Sequence, residues 1–163
     1  MKRIGLLSDT HGHIHPEIPR IFESCDEIWH AGDFGSIEAV RKLHAIKHLR
    51  GVHGNIDGME IRMLFPEMLR FQCEGVDVLM THIGGYPGRY ESKVLNILKI
   101  NPPGLFISGH SHILKVMHDD HHNLLHINPG AAGRQGLHRN ITMVRFVIDK
   151  ATIKDLEVVE FDK

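Results

Sequence analysis

Five times along this chain a short apolar run breaks off and is followed at once by Asp, Asn or His, in most cases beside a glycine. The five places are Asp9-Thr10-His11, Gly32-Asp33, Gly54-Asn55, Thr81-His82 and Gly109-His110-Ser111-His112. Short apolar runs bounded by turn residues read as buried strands. In open α/β folds the loops beyond the carboxyl ends of parallel strands converge on one crevice, and ligands bind there. The pattern therefore asks for a fold that brings many strand ends together. Glycine beside the donors lets the backbone turn sharply and approach closely.

The intervening segments fit that demand. Ile4 to Ser8 reads as a strand ending at Asp9, and Pro16 is placed to open a helix with Ile18, Ile21, Phe22 and Cys25 on one face. Glu27 to Ala31 reads as a second strand and Lys47 to His53 as a third. Between them Ser36 is placed to cap a helix that carries Glu38 in its first turn and Ile37, Val40, Leu43 and Ile46 inward. This alternation predicts right-handed crossovers and a largely parallel sheet. Further on, Leu69 to Cys73 and Val76 to Thr81 form an expected hairpin around Glu74-Gly75. Glu91 to Ile100 has helical spacing and is stopped by Pro102-Pro103. Leu105 to Ser108, Leu114 to His118, Leu124 to Ile127, Thr142 to Ile148 and Thr152 to Val159 complete the expected strands. Two sheets packed face to face with helices outside use all these elements. No repeat or linker interrupts them, so residues 1–163 are expected to form one domain.

Charge and cysteine usage narrow the classes. Lys and Arg total 19 against 20 Asp and Glu, so no broad basic surface exists for coating long nucleic acid. Ile4 to Leu7 is too short for a signal-peptide core, and no apolar run is long enough for a membrane helix. Cys25 and Cys73 stand in unrelated contexts and read as reduced thiols. These features lead to the expectation of a cytoplasmic protein with no membrane partner.

Taken singly, Asp9, Asp33 and His82 read as strand-end residues accepting backbone hydrogen bonds, and Asn55 as a turn residue. Taken as a set they read as metal ligands. An all-cysteine set would suggest structural zinc or an iron–sulfur cluster; mixed Asp, His and Asn suits Mn²⁺, Fe or Zn²⁺ in a site with open positions for water. Seven side chains exceed the needs of one ion, so two divalent metals about 3.5–4 Å apart are expected, with Asp33 the central bridging candidate.

The series D-x-H, G-D, G-N, H and G-H-x-H, in this order, resembles the calcineurin-like metallophosphoesterase superfamily. Chain length, the strand–helix layout and Asn128-Pro129-Gly130 resemble its small YfcE-like bacterial and archaeal phosphodiesterases, and the likeness spans residues 3 to about 133. The resemblance implies a four-layer αββα sandwich of two mixed β-sheets flanked by helices. It implies one metal held by Asp9, His11, Asp33 and His112, and a second held by Asp33, Asn55, His82 and His110. It further implies attack by a metal-bridging hydroxide positioned by Asp33, with Asn55 and His82 helping to stabilise the phosphoryl oxygens. Mn²⁺ is the expected ion, with Fe, Ni²⁺ and Zn²⁺ as alternatives, and a small phosphate ester the expected substrate. A homo-oligomer is only loosely suggested.

One position departs from the family pattern. Many members carry His directly after the G-N pair, assigned as the acid for the leaving group, whereas here the segment is Gly54-Asn55-Ile56-Asp57. Ile56 cannot donate a proton, which favours diesters with good leaving groups over alkyl monoesters. Asp57 is expected to orient the loop or a neighbouring histidine. His30 and His53, just before ligand motifs, are candidates for a supporting role, and His118, His121 and His122 are expected to be solvated. Arg89, Tyr86 and Tyr90, in the Gly-rich stretch after His82, and Arg134 and His138, near the last motif, are candidate substrate contacts. The rival to a phosphodiesterase is a non-catalytic scaffold of the same fold, like the retromer subunit, and phosphomonoesterase activity is a further alternative.

Overall fold

The computed structural model describes residues 1–163. The chain runs β1 (Lys2–Leu7), α1 (Ile18–Ile21), β2 (Glu27–His30), α2 (Ile37–Ile46), β3 (His48–Gly51), α3 (Met59–Leu64), β4 (Met68–Cys73) and β5 (Val76–Thr81). It continues β6 (Gly85–Tyr86), β7 (Arg89–Tyr90), α4 (Ser92–Ile100), β8 (Leu105–Ile107), β9 (Leu114–Asp119), β10 (Leu124–Pro129), β11 (Asn140–Asp149) and β12 (Thr152–Asp162). One five-stranded sheet has the order β12-β11-β1-β2-β3 and the other β4-β5-β8-β10-β9.

Both sheets are mixed, and each contains a parallel trio. β1, β2 and β3 run parallel in the first, and β5, β8 and β10 in the second. The expectation of a largely parallel first sheet needs correcting, because β11 pairs antiparallel with both β1 and β12. The first half of the chain has too few strands to cover its own core, and a long C-terminal hairpin supplies the rest.

Strand alternation explains the layers. Ile4 and Leu6 of β1 meet Val78 and Met80 of β5, Leu105 and Ile107 of β8, and Trp29 in the core between the sheets. The opposite face of β1 presents Leu7 to α1 and α2, where Ile18, Phe22, Val40 and Leu43 are buried. Leu79 and Phe106 point out of the second sheet onto Val94 and Leu98 of α4. Helix, sheet, sheet and helix thus stack as four layers. Truncating a fully buried residue such as Leu6 would cost about 2–5 kcal/mol.

Local differences from the sequence expectations have local causes. The first helix is one turn, not a run to Cys25, since Asp26 must return its N–H to the Arg3 carbonyl at 2.7 Å to start β2. Ser36 caps α2 as expected, its hydroxyl accepting from Ala39 N–H at 3.2 Å. Helix α3 was unforeseen because only Ile61 of its six residues is buried, leaving no apolar stripe to read. Cys25 and Cys73 are buried free thiols. No helix is long and apolar enough to cross a membrane.

Candidate metal centre

The carboxyl ends of the two parallel trios open on one crevice. β1 delivers Asp9 and His11, β2 delivers Asp33, and the chain leaving β3 delivers Asn55. β5 delivers His82, and the turn after β8 delivers His110 and His112. All seven side chains named from the sequence come together there. The ligating atoms of Asp9, His11 and His112 lie within 4.8 Å of one another, as do those of Asp33, His82 and His110.

Two carboxylate oxygens sit between the imidazoles. Asp9 Oδ1 is 3.1 Å from His112 Nε2 and 3.8 Å from both His11 Nε2 and His82 Nε2. Asp33 Oδ2 is 3.1 Å from His82 Nε2 and 3.7 Å from His11 Nε2, so it reaches both groups. Asn55 Oδ1 stands 3.1 Å from His110 Nδ1.

Each donor is held by its other end. Asp9 Oδ2 accepts from Ser8 Oγ at 2.6 Å and His110 N–H at 3.1 Å, and Asp33 Oδ1 accepts from Ile56 N–H at 3.1 Å. His82 Nδ1 lies 2.8 Å from the Ala31 carbonyl, so it carries the hydrogen and leaves Nε2 a bare lone pair. Asp9 Oδ1, His11 Nε2 and His82 Nε2 are buried without any hydrogen-bond partner. Buried polar atoms are rarely left this way without an ion or water to satisfy them. Imidazole nitrogens and carboxylate oxygens are the donors that Mn²⁺, Fe or Zn²⁺ takes, so the residues fit divalent metals.

The backbone is bent to achieve this. Asp9, His11, Asp33, His110 and His112 have φ of 54°, 46°, 59°, 70° and 60°, the left-handed region that costs side chains with a Cβ roughly 1–2 kcal/mol each. Close approach also excludes side chains at neighbours: a Cβ on Gly54 would fall inside the Asp33 carboxylate, and one on Gly109 would strike Ser8 Oγ.

Burial alone would raise the Asp9 carboxyl, but the imidazoles of His11, His112 and His82 outweigh it and hold the group well below the usual carboxylate range. Asp33 is likewise raised by burial and lowered further by His82, ending below its ordinary value. His82 is pushed down by burial and up by Asp33 and Asp9, with the upward effect winning. Protons and metal ions would therefore compete for the same atoms.

Supporting residues surround the donors. Asp57 accepts from Phe34, Gly35 and Gly54 N–H at 3.2, 2.9 and 2.8 Å, tying the Asp33 loop to the Asn55 loop; its carboxylate contacts no histidine. His30 is fully buried and stacked on Phe34, accepts from Gly32 N–H at 3.1 Å, and its Nε2 meets Thr10 Oγ1 at 3.0 Å. His53 Nδ1 lies 3.2 Å from the Gly54 carbonyl.

The roles of three positions escaped the sequence reading, although Asn128 belongs to the Asn128-Pro129-Gly130 motif quoted for the resemblance. Ser8 fixes Asp9, and Asn128 holds the Gly109–His112 turn through Gly109 O at 3.0 Å and Ser111 Oγ at 3.1 Å. Arg62 of α3 donates to the carbonyls of Asp57, Gly54 and Asn55 at 2.6, 3.3 and 3.3 Å. An asparagine inside a strand, where it is disfavoured, was the available signal for Asn128; Arg62 gave none.

The proposed substrate contacts divide. His138 packs its ring edge-on against His112, centroids 5.2 Å apart, with Nε2 2.8 Å from the Gly133 carbonyl. Arg134 is exposed. Tyr90 is turned away, its hydroxyl donating to Asp119 Oδ2 at 2.7 Å, and Tyr86 carries Lys115 Nζ over its ring at 4.6 Å. Arg89 and Tyr90 line a separate cavity of about 260 Å³ with Asp119, His121 and His122. His122 is half-buried on Asp119, at 2.9 Å, and so is not the solvated residue its sequence context suggests.

The family model described as the calcineurin-like phosphoesterase superfamily domain matches residues 1–151. A phosphodiesterase of Methanocaldococcus jannaschii is 23% identical over 145 residues, covering 78% of this chain and 82% of its own. A solved archaeal phosphodiesterase superposes with a TM-score of 0.75 at 23% identity, over 96% of this chain and 99% of that one. Vps29 of Entamoeba histolytica complexed with Zn²⁺ superposes with a TM-score of 0.71 at 15% identity, over 98% of each chain.

Proposed function

The chain belongs to the calcineurin-like phosphoesterase superfamily, and from that premise we propose that it is a metal-dependent phosphodiesterase acting on a small phosphate ester. Asp9, His11, Asp33 and His112 would hold one divalent ion, and Asp33, Asn55, His82 and His110 a second, with Mn²⁺ the first to try. The observation that carries this reading is the set of partnerless buried atoms, Asp9 Oδ1, His11 Nε2 and His82 Nε2, gathered within one gap.

Bound metals supply Lewis acidity, lowering the pKa of water and offsetting charge on phosphoryl oxygens. The chain's own residues do the positioning. Ser8 and the His110 N–H pin one oxygen of Asp9 so that the other faces the gap. Ile56 N–H does the same for Asp33, and the Ala31 carbonyl keeps His82 in its ligating tautomer. Asp57 fixes the spacing of the Asp33 and Asn55 loops. Ile56 offers the leaving oxygen no proton, so esters that depart unaided, such as aryl diesters, are favoured.

The relative named a phosphodiesterase supports the diester preference. A scaffold of the same fold needs no such donor set, yet the zinc complex of Vps29 means that metal content alone does not separate the two; turnover does. Metal-stripped protein given Mn²⁺ should hydrolyse bis(p-nitrophenyl) phosphate faster than p-nitrophenyl phosphate. A monoester preference would overturn the diesterase assignment. No turnover with Mn²⁺, Ni²⁺, Fe²⁺ or Zn²⁺ would overturn the enzyme.

A further inference from the structure

A cavity of about 340 Å³ is lined by Asn55 and His82 together with His53, Arg62, Glu67 and Thr81. That volume lies at the lower end of the ligand-pocket range, enough for one sugar-sized or nucleoside-sized group. Ile83 is its single apolar wall residue. We propose, resting on the phosphodiesterase reading, that this cavity is the subsite for one ester group of the substrate, and that it selects a hydroxyl-bearing group.

The wall chemistry argues for the hydroxyl preference. The Arg62 guanidinium is committed to the carbonyls of Gly54, Asn55 and Asp57, so it shapes the loop at the cavity mouth and is not free to clamp a second phosphate. Glu67 lines the cavity, and its carboxylate is paired at the surface with Lys93, Nζ 3.2 Å from each oxygen. A carboxylate accepts hydrogen bonds from hydroxyls, while Lys93 offsets its charge. The Thr81 hydroxyl donates to the Glu67 carbonyl at 3.1 Å, which leaves its lone pairs to accept from a ligand. An alkyl or aryl group placed here would strand these polar atoms.

The test uses Mn²⁺-loaded protein and two diesters with the same leaving group, the p-nitrophenyl ester of uridine 5′-monophosphate and its 2′,3′-dideoxy analogue. The hydroxyl-bearing diester is expected to have a kcat/KM about tenfold higher, expressed in KM, as hydrogen bonds to a charged acceptor allow. Glu67→Ala should bring the ratio to about one without a measurable fall in the thermal midpoint, since only an exposed ion pair is lost. Lys93→Ala, which breaks the same surface ion pair, should leave the ratio unchanged. Equal kcat/KM for the two diesters, or a preference that survives Glu67→Ala, overturns the subsite while leaving the phosphodiesterase intact. Failure to turn over any diester overturns the underlying function, and the subsite with it.

Discussion

The molecule contains two places where buried carboxylates meet histidines, and they are built on opposite plans. At Asp119 every lone pair is used: Oδ1 accepts from the N–H groups of His121 and His122 at 3.0 and 3.3 Å, and Oδ2 faces Tyr90 Oη at 2.7 Å and His122 Nδ1 at 2.9 Å. Burial raises that carboxyl, but Tyr90 and His122 bring it down to about 2. At Asp9 and Asp33 one oxygen is satisfied by the chain and the other is aimed at bare imidazole nitrogens. The first arrangement closes a turn after β9. The second leaves Asp9 Oδ1, His11 Nε2 and His82 Nε2 buried without partners, the arrangement a cation would satisfy. A carboxylate–histidine cluster is thus structural or ligand-binding according to which atoms lack partners, not according to composition.

The largest expected effect lies at the unsatisfied cluster. Asp33→Asn keeps the side-chain shape and the oxygen facing Ile56 but removes the charge between the two groups. Turnover of bis(p-nitrophenyl) phosphate should fall about a thousandfold or more, a loss in line with removal of a key electrostatic group. The metal-stripped variant should lose some stability, because the lowered folded pKa of Asp33 means that His82 and the Ile56 N–H favour its ionised form, but it should remain folded at the assay temperature. Loss of activity through unfolding would break the contrast.

Acid should separate the two kinds of buried histidine next. Burial lowers His30 to about 3, so the folded state refuses a proton that the unfolded chain takes up near pH 6.5. Stability therefore falls as pH drops below about 6.5, by roughly 2 kcal/mol at pH 5. His82 has the opposite sign in the metal-stripped protein. Its raised folded value gives stability that is present below the unfolded pKa and lost as pH rises through the folded one. Urea midpoints between pH 7 and 5 should show a steeper acid loss in the wild type than in His30→Gln. Parallel pH profiles would contradict this assignment.

Smaller effects belong at the satisfied cluster. Asp119→Asn should cost about 2 kcal/mol by urea denaturation, because charge-assisted hydrogen bonds become neutral ones. Turnover should stay within about twofold. Tyr90→Phe should cost about 1 kcal/mol for its single hydrogen bond and also leave turnover alone. A large activity loss in either would show that the hairpin of β6 and β7 serves the crevice after all.

What could be read from the sequence divides along physical lines. The seven strand-end donors were legible because burial of a strand makes it apolar, so a polar residue at its end stands out with a known position. The two-layer core was legible from the same alternation, as at Ile4 and Leu6 against Leu7. Helix α3 and the hairpin at Gly85–Tyr90 were not, because Met59, Met63 and Leu64 are exposed and the hairpin pairs only two residues a side. The Arg62 clamp and the commitment of Tyr90 to Asp119 depend on tertiary approach, which no local pattern records. The left-handed backbone at five donors was foreshadowed only by the neighbouring glycines.

The most direct measurement is metal stoichiometry. Metal-stripped protein dialysed against excess Mn²⁺ and analysed for bound metal should hold about two ions per chain, as expected for a two-metal site. Asp33→Asn should hold fewer than two, and Asp119→Asn about two. A wild type that holds none, or an Asp33→Asn variant that binds as the wild type does, would contradict the two-metal crevice.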